Sequence, residues 1–150
     1  MIDDLYSIIC QFGDLTQRDF DYGIAGARGL DRLNEICAAV EGLPSPSLAF
    51  PAMFELMERL SESDLGTPGP LVHTMESHIG SYEDLLEQSV RKKPVDLSVW
   101  MVNRILNAKC DRSRWMGVLH TAADHSGASD VVRGQAQHFI EVQNAKSKPA

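Results

Sequence analysis

Asp96-Leu97-Ser98-Val99-Trp100-Met101-Val102-Asn103-Arg104-Ile105-Leu106-Asn107-Ala108-Lys109 is the most apolar stretch that keeps a helical period. Leu97, Met101 and Ile105 form one row, and Val99, Trp100, Val102 and Leu106 cover the adjacent directions. A helix that is apolar on most sides belongs in the middle of its domain. The stretch therefore predicts an all-α chain packed around a central helix.

The flanking segments carry the punctuation of short helices. Upstream, Ser81 is a candidate cap, Glu83 and Asp84 stand in a first turn, Arg91 to Lys93 stand in a last turn, and Pro94 stops the segment. Downstream, Asp111 or Ser113 opens a helix through Trp115, Met116, Val118, Leu119, Ala122 and Ala123. Ser126 to Ser129 make a turn. Val131, Val132, Ala136, Phe139, Ile140 and Val142 mark a last helix, and residues 144–150 read as a frayed tail.

Further upstream, Gly66-Thr67-Pro68-Gly69-Pro70 breaks the pattern, and Pro70 suits the first turn of a helix bearing Leu71, Val72, Met75 and Ile79. Phe50, Met53, Phe54, Met57 and Leu60 lie on one face of another, with Glu55, Glu58, Arg59 and Glu62 mostly opposite. The methionine–aromatic stripe is packing. Thr16 offers a cap for a long segment to Glu41, in which Phe20, Ile24, Ala27, Leu30, Leu33, Cys37 and Val40 recur at steps of three and four. Within it, Gly23, Gly26 and Gly29 each cost about 1 kcal/mol against alanine, which indicates a close helix–helix approach or a local break. A phosphate loop would need Gly-x-Gly-x-x-Gly after a strand, and neither occurs. The first segment runs from Ile2 to Phe12.

No convincing period-two strand interrupts these helices. The later ones start near residues 81, 96, 112 and 129, and a two-helix period of about 32 residues is close to solenoid repeats. The reading is one all-α domain of residues 1–150, either an irregular helical bundle or a short helical-repeat-like stack of about seven to eight helices.

The 150 residues are 43% hydrophobic and 23% charged, ordinary globular values. No apolar run is long enough to span a bilayer, and the acidic start Met1-Ile2-Asp3-Asp4 is unlike a signal peptide, so a cytoplasmic protein without membrane contact is expected. Cys10, Cys37 and Cys110 are too widely spaced for a disulfide framework or a zinc site. The net charge of −7 is uneven: residues 1–90 hold sixteen Asp and Glu against four Arg, while residues 91–150 hold five against ten Lys and Arg. An acidic body repels nucleic acid and attracts basic proteins.

Histidine spacing argues against a metal site. His73 and His78 are five residues apart, as are His120 and His125, and five residues turn a helix by about 500°, so each pair diverges. Cys110 with His120 or His125 and Asp124 is the only imaginable nucleophilic set, and no hydrolase, Walker or kinase motif accompanies it. Arg91, Lys92, Lys93, Arg104, Lys109, Arg112, Arg114 and Arg133 are a modest basic set without a nucleic-acid recognition motif. The expectation is a binding protein rather than an enzyme, with no catalytic, cofactor or metal residues.

The stretch Gly66-Thr67-Pro68-Gly69-Pro70-Leu71-Val72-His73, with Tyr82, Leu85-Leu86, Arg91, Pro94 and Trp100 to Asn107, resembles small helical immunity proteins of bacterial polymorphic toxin and contact-dependent growth inhibition systems. The resemblance covers less than a third of the chain and consists of turn formers and core positions. It implies a cytosolic antitoxin that binds a cognate toxin domain, often a nuclease, and blocks it. It supplies no site residues. The residues themselves suggest an acidic partner surface in the N-terminal two-thirds: Asp19, Asp21, Glu55, Glu58, Glu62, Asp64, Glu76, Glu83, Asp84 and Glu87, with Tyr22 or Tyr82 as an aromatic anchor. A helical-repeat adaptor, an enzyme using Cys110, His120 and Asp124, and a nucleic-acid regulator are the rival readings.

Overall fold

The computed structural model describes residues 4–66 and 68–147. Eight α-helices lie among them: α1 (Leu5–Asp14), α2 (Gly29–Glu41), α3 (Phe50–Arg59), α4 (Gly69–Glu76), α5 (Glu83–Lys92), α6 (Asp96–Leu106), α7 (Arg112–Ala123) and α8 (Asp130–Ser147). Two short 3₁₀ turns, Gln17–Phe20 and Pro46–Ala49, join them, and the described residues contain no strand. The all-α expectation is met. Packing divides the chain into two compact units, Met1–Leu85 and Leu86–Ala150.

In the first unit, α1 packs on α2 and α3, and α4 packs on α2. The expected long helix to Glu41 is broken: only Gly29 onward is α-helical, and Gly26 takes φ +85°, which glycine adopts without strain. Thr16 does cap, but it caps the 3₁₀ turn. Its N–H and hydroxyl both donate to the Asp19 carboxylate, at 2.8 and 3.2 Å. Gly29 is the close-approach glycine, seated on Phe20. The stripe of α3 is core as read, with Phe50, Met53, Phe54 and Met57 all buried, and each such side chain contributes about 1.5–3 kcal/mol by leaving water. Gly66 and Gly69 carry φ of +99° and +80°, and Pro70 sits at the start of α4.

Arg59 closes this unit. From α3 it donates Nη1 to Leu15 O at 2.7 Å and Nη2 to Phe12 O at 3.1 Å, satisfying carbonyls at the end of α1, while Nε donates to Glu55 at 3.1 Å. Phe12 O also accepts from Leu15 N at 3.3 Å, and charged donors on helix-end carbonyls are worth about 1.5–3 kcal/mol. Arg59→Ala should therefore lower the unfolding free energy of the first unit by about that amount, and its denaturant midpoint in proportion. Arg59→Lys should restore only part of it, because one ammonium nitrogen cannot take the place of three guanidinium nitrogens that each reach a separate acceptor. Urea unfolding with an unchanged slope is the check.

In the second unit α6, α7 and α8 each pack on the other two. A solenoid repeat touches only its sequence neighbours, so this unit is a three-helix bundle. Ser98, Val99, Met101, Val102 and Leu106 of α6 are buried, and Leu97, Trp100 and Ile105 are half-buried, as a central helix requires. Asp111 caps α7 by accepting from Arg114 N at 3.1 Å. The tail expected to fray is helical through Ser147; residues 148–150 lie outside the described residues, as do residues 1–3 and Thr67.

Candidate binding surface

The division by packing nearly coincides with the division by charge. Residues 1–85 hold fifteen Asp and Glu against four Arg, and residues 86–150 hold six against ten Lys and Arg. The first unit is thus −11 and the second +4. Three of the four arginines of the first unit are also matched internally. Arg28 pairs with Asp31 and Glu35, Arg32 with Asp19, and Arg59 with Glu55.

Several of the sequence-selected acids serve the fold. Asp19 holds the Thr16 turn and Arg32, and hydrogen bonding from Thr16 is the main reason its carboxyl titrates below the ordinary value. Asp21 and Asp64 accept from Gly23 N and Gly66 N, tightening loops. Glu83 reaches back to Gly80 N and Tyr82 N and so starts α5. Glu55 orients Arg59. Glu62 and Asp84 are exposed, and Glu58 and Glu76 are half-buried.

Two selected residues are displaced from the surface in question. Tyr82 is only 4% exposed, so it is a core residue and cannot anchor a partner. Glu87 belongs to the second unit, where it bridges Arg114 at 2.7 Å and Arg91 at 2.9 Å. Tyr22 is 52% exposed, and its hydroxyl accepts from Leu30 N at the start of α2. Sequence reasoning missed Tyr6, 78% exposed, because Leu5, Ile8 and Phe12 define the core stripe of α1 and leave Tyr6 outside it.

The Glu87 bridge makes a pH prediction. The hydrogen bonds from Arg114 and then Arg91 lower its carboxyl pKa below the usual carboxylate value. A carboxyl lowered in the folded state adds stability above its unfolded pKa and loses it as pH falls through the folded one. The Glu87 carboxyl should therefore titrate below a free glutamate, and Arg114→Ala should move its midpoint upward. Carboxyl-carbon NMR across the acid range reads both.

The imagined nucleophilic set does not assemble. Cys110 precedes α7, while His120 lies eight residues into it, about 12 Å along the axis. Burial raises the Cys110 thiol pKa, the reverse of activation. His120 and Asp124 line an open depression of about 510 Å³ at the far end of α7. His125 is committed there: Nε2–H donates to Arg91 O at 2.8 Å and Nδ1 accepts from Gly127 N at 3.0 Å. Among the described residues, no cluster of three His, Cys, Asp or Glu could hold a metal ion, and no helix is long and apolar enough to cross a membrane.

A concavity indents the first unit. Asn34, Cys37, Ala38 and Glu41 of α2 and Gly69, Pro70, His73 and Thr74 of α4 line an open groove of about 370 Å³. It exists because the side chains lining both walls are mostly short. Cys37 lies at its base, shares a hydrogen bond with Thr74, and has its pKa raised to about 11 by burial, helped by the negative charge of Glu41. Glu41 accepts from Ser77 Oγ at 3.3 Å and from His78 Nε2 at 3.1 Å. His78 is itself held against the Phe50 ring.

No protein-family model matches this chain, and neither a curated protein nor a solved structure does.

Proposed function

We propose that this chain is an immunity-type protein of the bacterial cytoplasm, which binds a cognate basic toxin domain through residues 1–85 and blocks its substrate-binding surface. The observation that carries the reading is the concentration of a −11 charge on one compact helical unit whose arginines are mostly paired internally. A nuclease domain must attract phosphate backbones, so its working face is basic. An acidic protein is steered to that face and competes with the substrate there. The resemblance of Gly66 to Asn107 to immunity proteins points the same way.

The test is affinity purification of the full chain from its own cells. The reading expects a small basic protein in the eluate, inactive while bound, that arrests growth when expressed alone and is harmless when this chain is co-expressed. Protection should persist in a Cys110→Ala, His120→Ala, Asp124→Ala variant at normal abundance. Loss of protection there would favour an enzyme instead. Recovery of a non-toxic, neutral or acidic partner would favour an adaptor.

A further inference from the structure

We infer that the groove between α2 and α4 is the docking site for an arginine side chain of the basic partner, with Glu41 as the carboxylate that receives the guanidinium. The inference rests on the reading of residues 1–85 as the surface for a basic protein, and it names the place on that surface.

Charge complementarity selects the occupant. The groove walls come from a part of the chain that contains no Lys or Arg from Leu33 to Glu58, and none from Leu60 to Val90. Of the side chains that line it, Glu41 is a carboxylate, none is Lys or Arg, and His73 is the one imidazole. The base of the groove is uncharged, because burial keeps the Cys37 thiol protonated at neutral pH. Ala38 and Pro70 give apolar sides along which an aliphatic stem can lie. A carboxylate stands in the wall, and the Asn34 amide also lines the groove. That combination fits a long apolar stem tipped by a positive, planar donor better than it fits a lipid, a neutral apolar side chain or an anion.

Glu41 is suited to the role because it is the acid that lines the groove. Asp19, Glu55 and Glu83 spend their oxygens on caps and on Arg59. Glu41 is held by Ser77 and His78, and its side chain remains 44% exposed. A carboxylate offers about four lone-pair sites, so a positioned one with a neighbouring hydroxyl and imidazole still accepts a guanidinium. Sequence reasoning passed over Glu41 because it stands at the end of a helix next to Gly42 and looked like a terminus.

The experiment uses the full ¹⁵N-labelled chain and a capped Gly-Arg-Leu-Arg peptide, with Gly-Gln-Leu-Gln as the uncharged control. The inference expects saturable amide shifts centred on residues 34–41 and 69–78, at least tenfold tighter for the arginine peptide. Glu41→Gln should weaken binding at least tenfold. Ala38→Trp, an exposed position that plugs the groove, should do the same without altering Glu41. Asp14→Asn, an equal loss of charge elsewhere on the unit, should leave affinity within twofold. Shifts spread over the whole acidic surface, or equal weakening by all three variants, would overturn the docking site. If the basic partner still co-purifies with Ala38→Trp and Glu41→Gln at full strength, the groove assignment falls and the proposed function stands. If the peptide binds in the groove but no basic partner exists, the proposed function falls and the groove stands as an arginine site.

Discussion

Gly29→Ala is expected to destabilise the first unit by about 3 kcal/mol or more, although alanine is ordinarily better than glycine in a helix by about 1 kcal/mol. The reversal comes from contact. A Cβ on Gly29 would lie 2.6 Å from the Asp19 carbonyl oxygen, 2.6 Å from Phe20 Cδ1 and 2.8 Å from Cε1. None of these can retreat cheaply. Phe20 is 6% exposed, and Asp19 is tied to Thr16 and Arg32. Gly134, in α8, is the matched control, because a methyl group added there would meet nothing within 4 Å. Gly134→Ala should be neutral or stabilising by up to about 1 kcal/mol. Urea unfolding of both variants decides the point: a Gly29→Ala protein as stable as Gly134→Ala would refute the packing of α2 on the Phe20 turn.

The second large effect belongs to Gln143, which is 1% exposed inside the three-helix bundle. Its Nε2 donates to Asn103 Oδ1 at 2.8 Å and to Asn107 Oδ1 at 2.9 Å. Its Oε1 accepts from Arg112 Nη1 at 3.3 Å, and its carbonyl accepts from Arg112 Nη2 at 2.7 Å. One amide therefore joins α6, the start of α7 and α8. Gln143→Leu keeps the volume and removes the amide. It leaves the Asn103 acceptor and one Arg112 donor without a partner, at about 1–3 kcal/mol for each group that water cannot reach, whereas Asn107 Oδ1 keeps its bond from Lys146 Nζ. The expected loss is about 3 kcal/mol. Adding Asn103→Leu to Gln143→Leu should recover part of it, since removing both partners costs less than stranding one. A double variant less stable than the sum of the single losses would contradict this account of the network.

These two positions show where the sequence was legible. Periodicity located most of the eight described helices, cap and stop signals located α5, and α6 was readable as central because its apolar residues point in most directions. Pro70 and Asp111 marked helix starts correctly. The segment from Thr16 to Glu41 misled because Phe20, Ile24, Ala27 and Leu30 keep helical steps through a loop. The glycines at 23, 26 and 29 were the signal of the break, and two of the three now have a physical role, Gly26 in a left-handed turn and Gly29 in a close approach. Gln143 was invisible because a single amide in a polar tail gives no pattern. The helix continues past it, and Lys146 and Ser147 bond to Asn107 and to Gln143 O.

The candidate surface was legible as a charge and not as a place. Counting found the acidic half to within a few residues of the packing boundary. It could not tell an acid that caps a turn, such as Asp19 or Glu83, from one left facing water, such as Glu62. Nor could it separate a buried tyrosine, Tyr82, from exposed ones, Tyr6 and Tyr22. The residues that carry the resemblance to immunity proteins have fold roles too: Gly66 and Gly69 turn the chain, Leu71 and Val72 fill the core, and Asn103 and Asn107 hold Gln143.

The central claim is that an acidic helical unit captures a basic protein. Its most direct test is the association rate of the full chain with the basic partner recovered from its cells, followed by stopped flow as salt is raised. Electrostatic capture predicts a rate that falls about tenfold or more from roughly 0.02 to roughly 0.5 M salt, and a slower low-salt rate when Asp14, Glu41 and Glu62 are neutralised together. A rate indifferent to both salt and those three substitutions would contradict it.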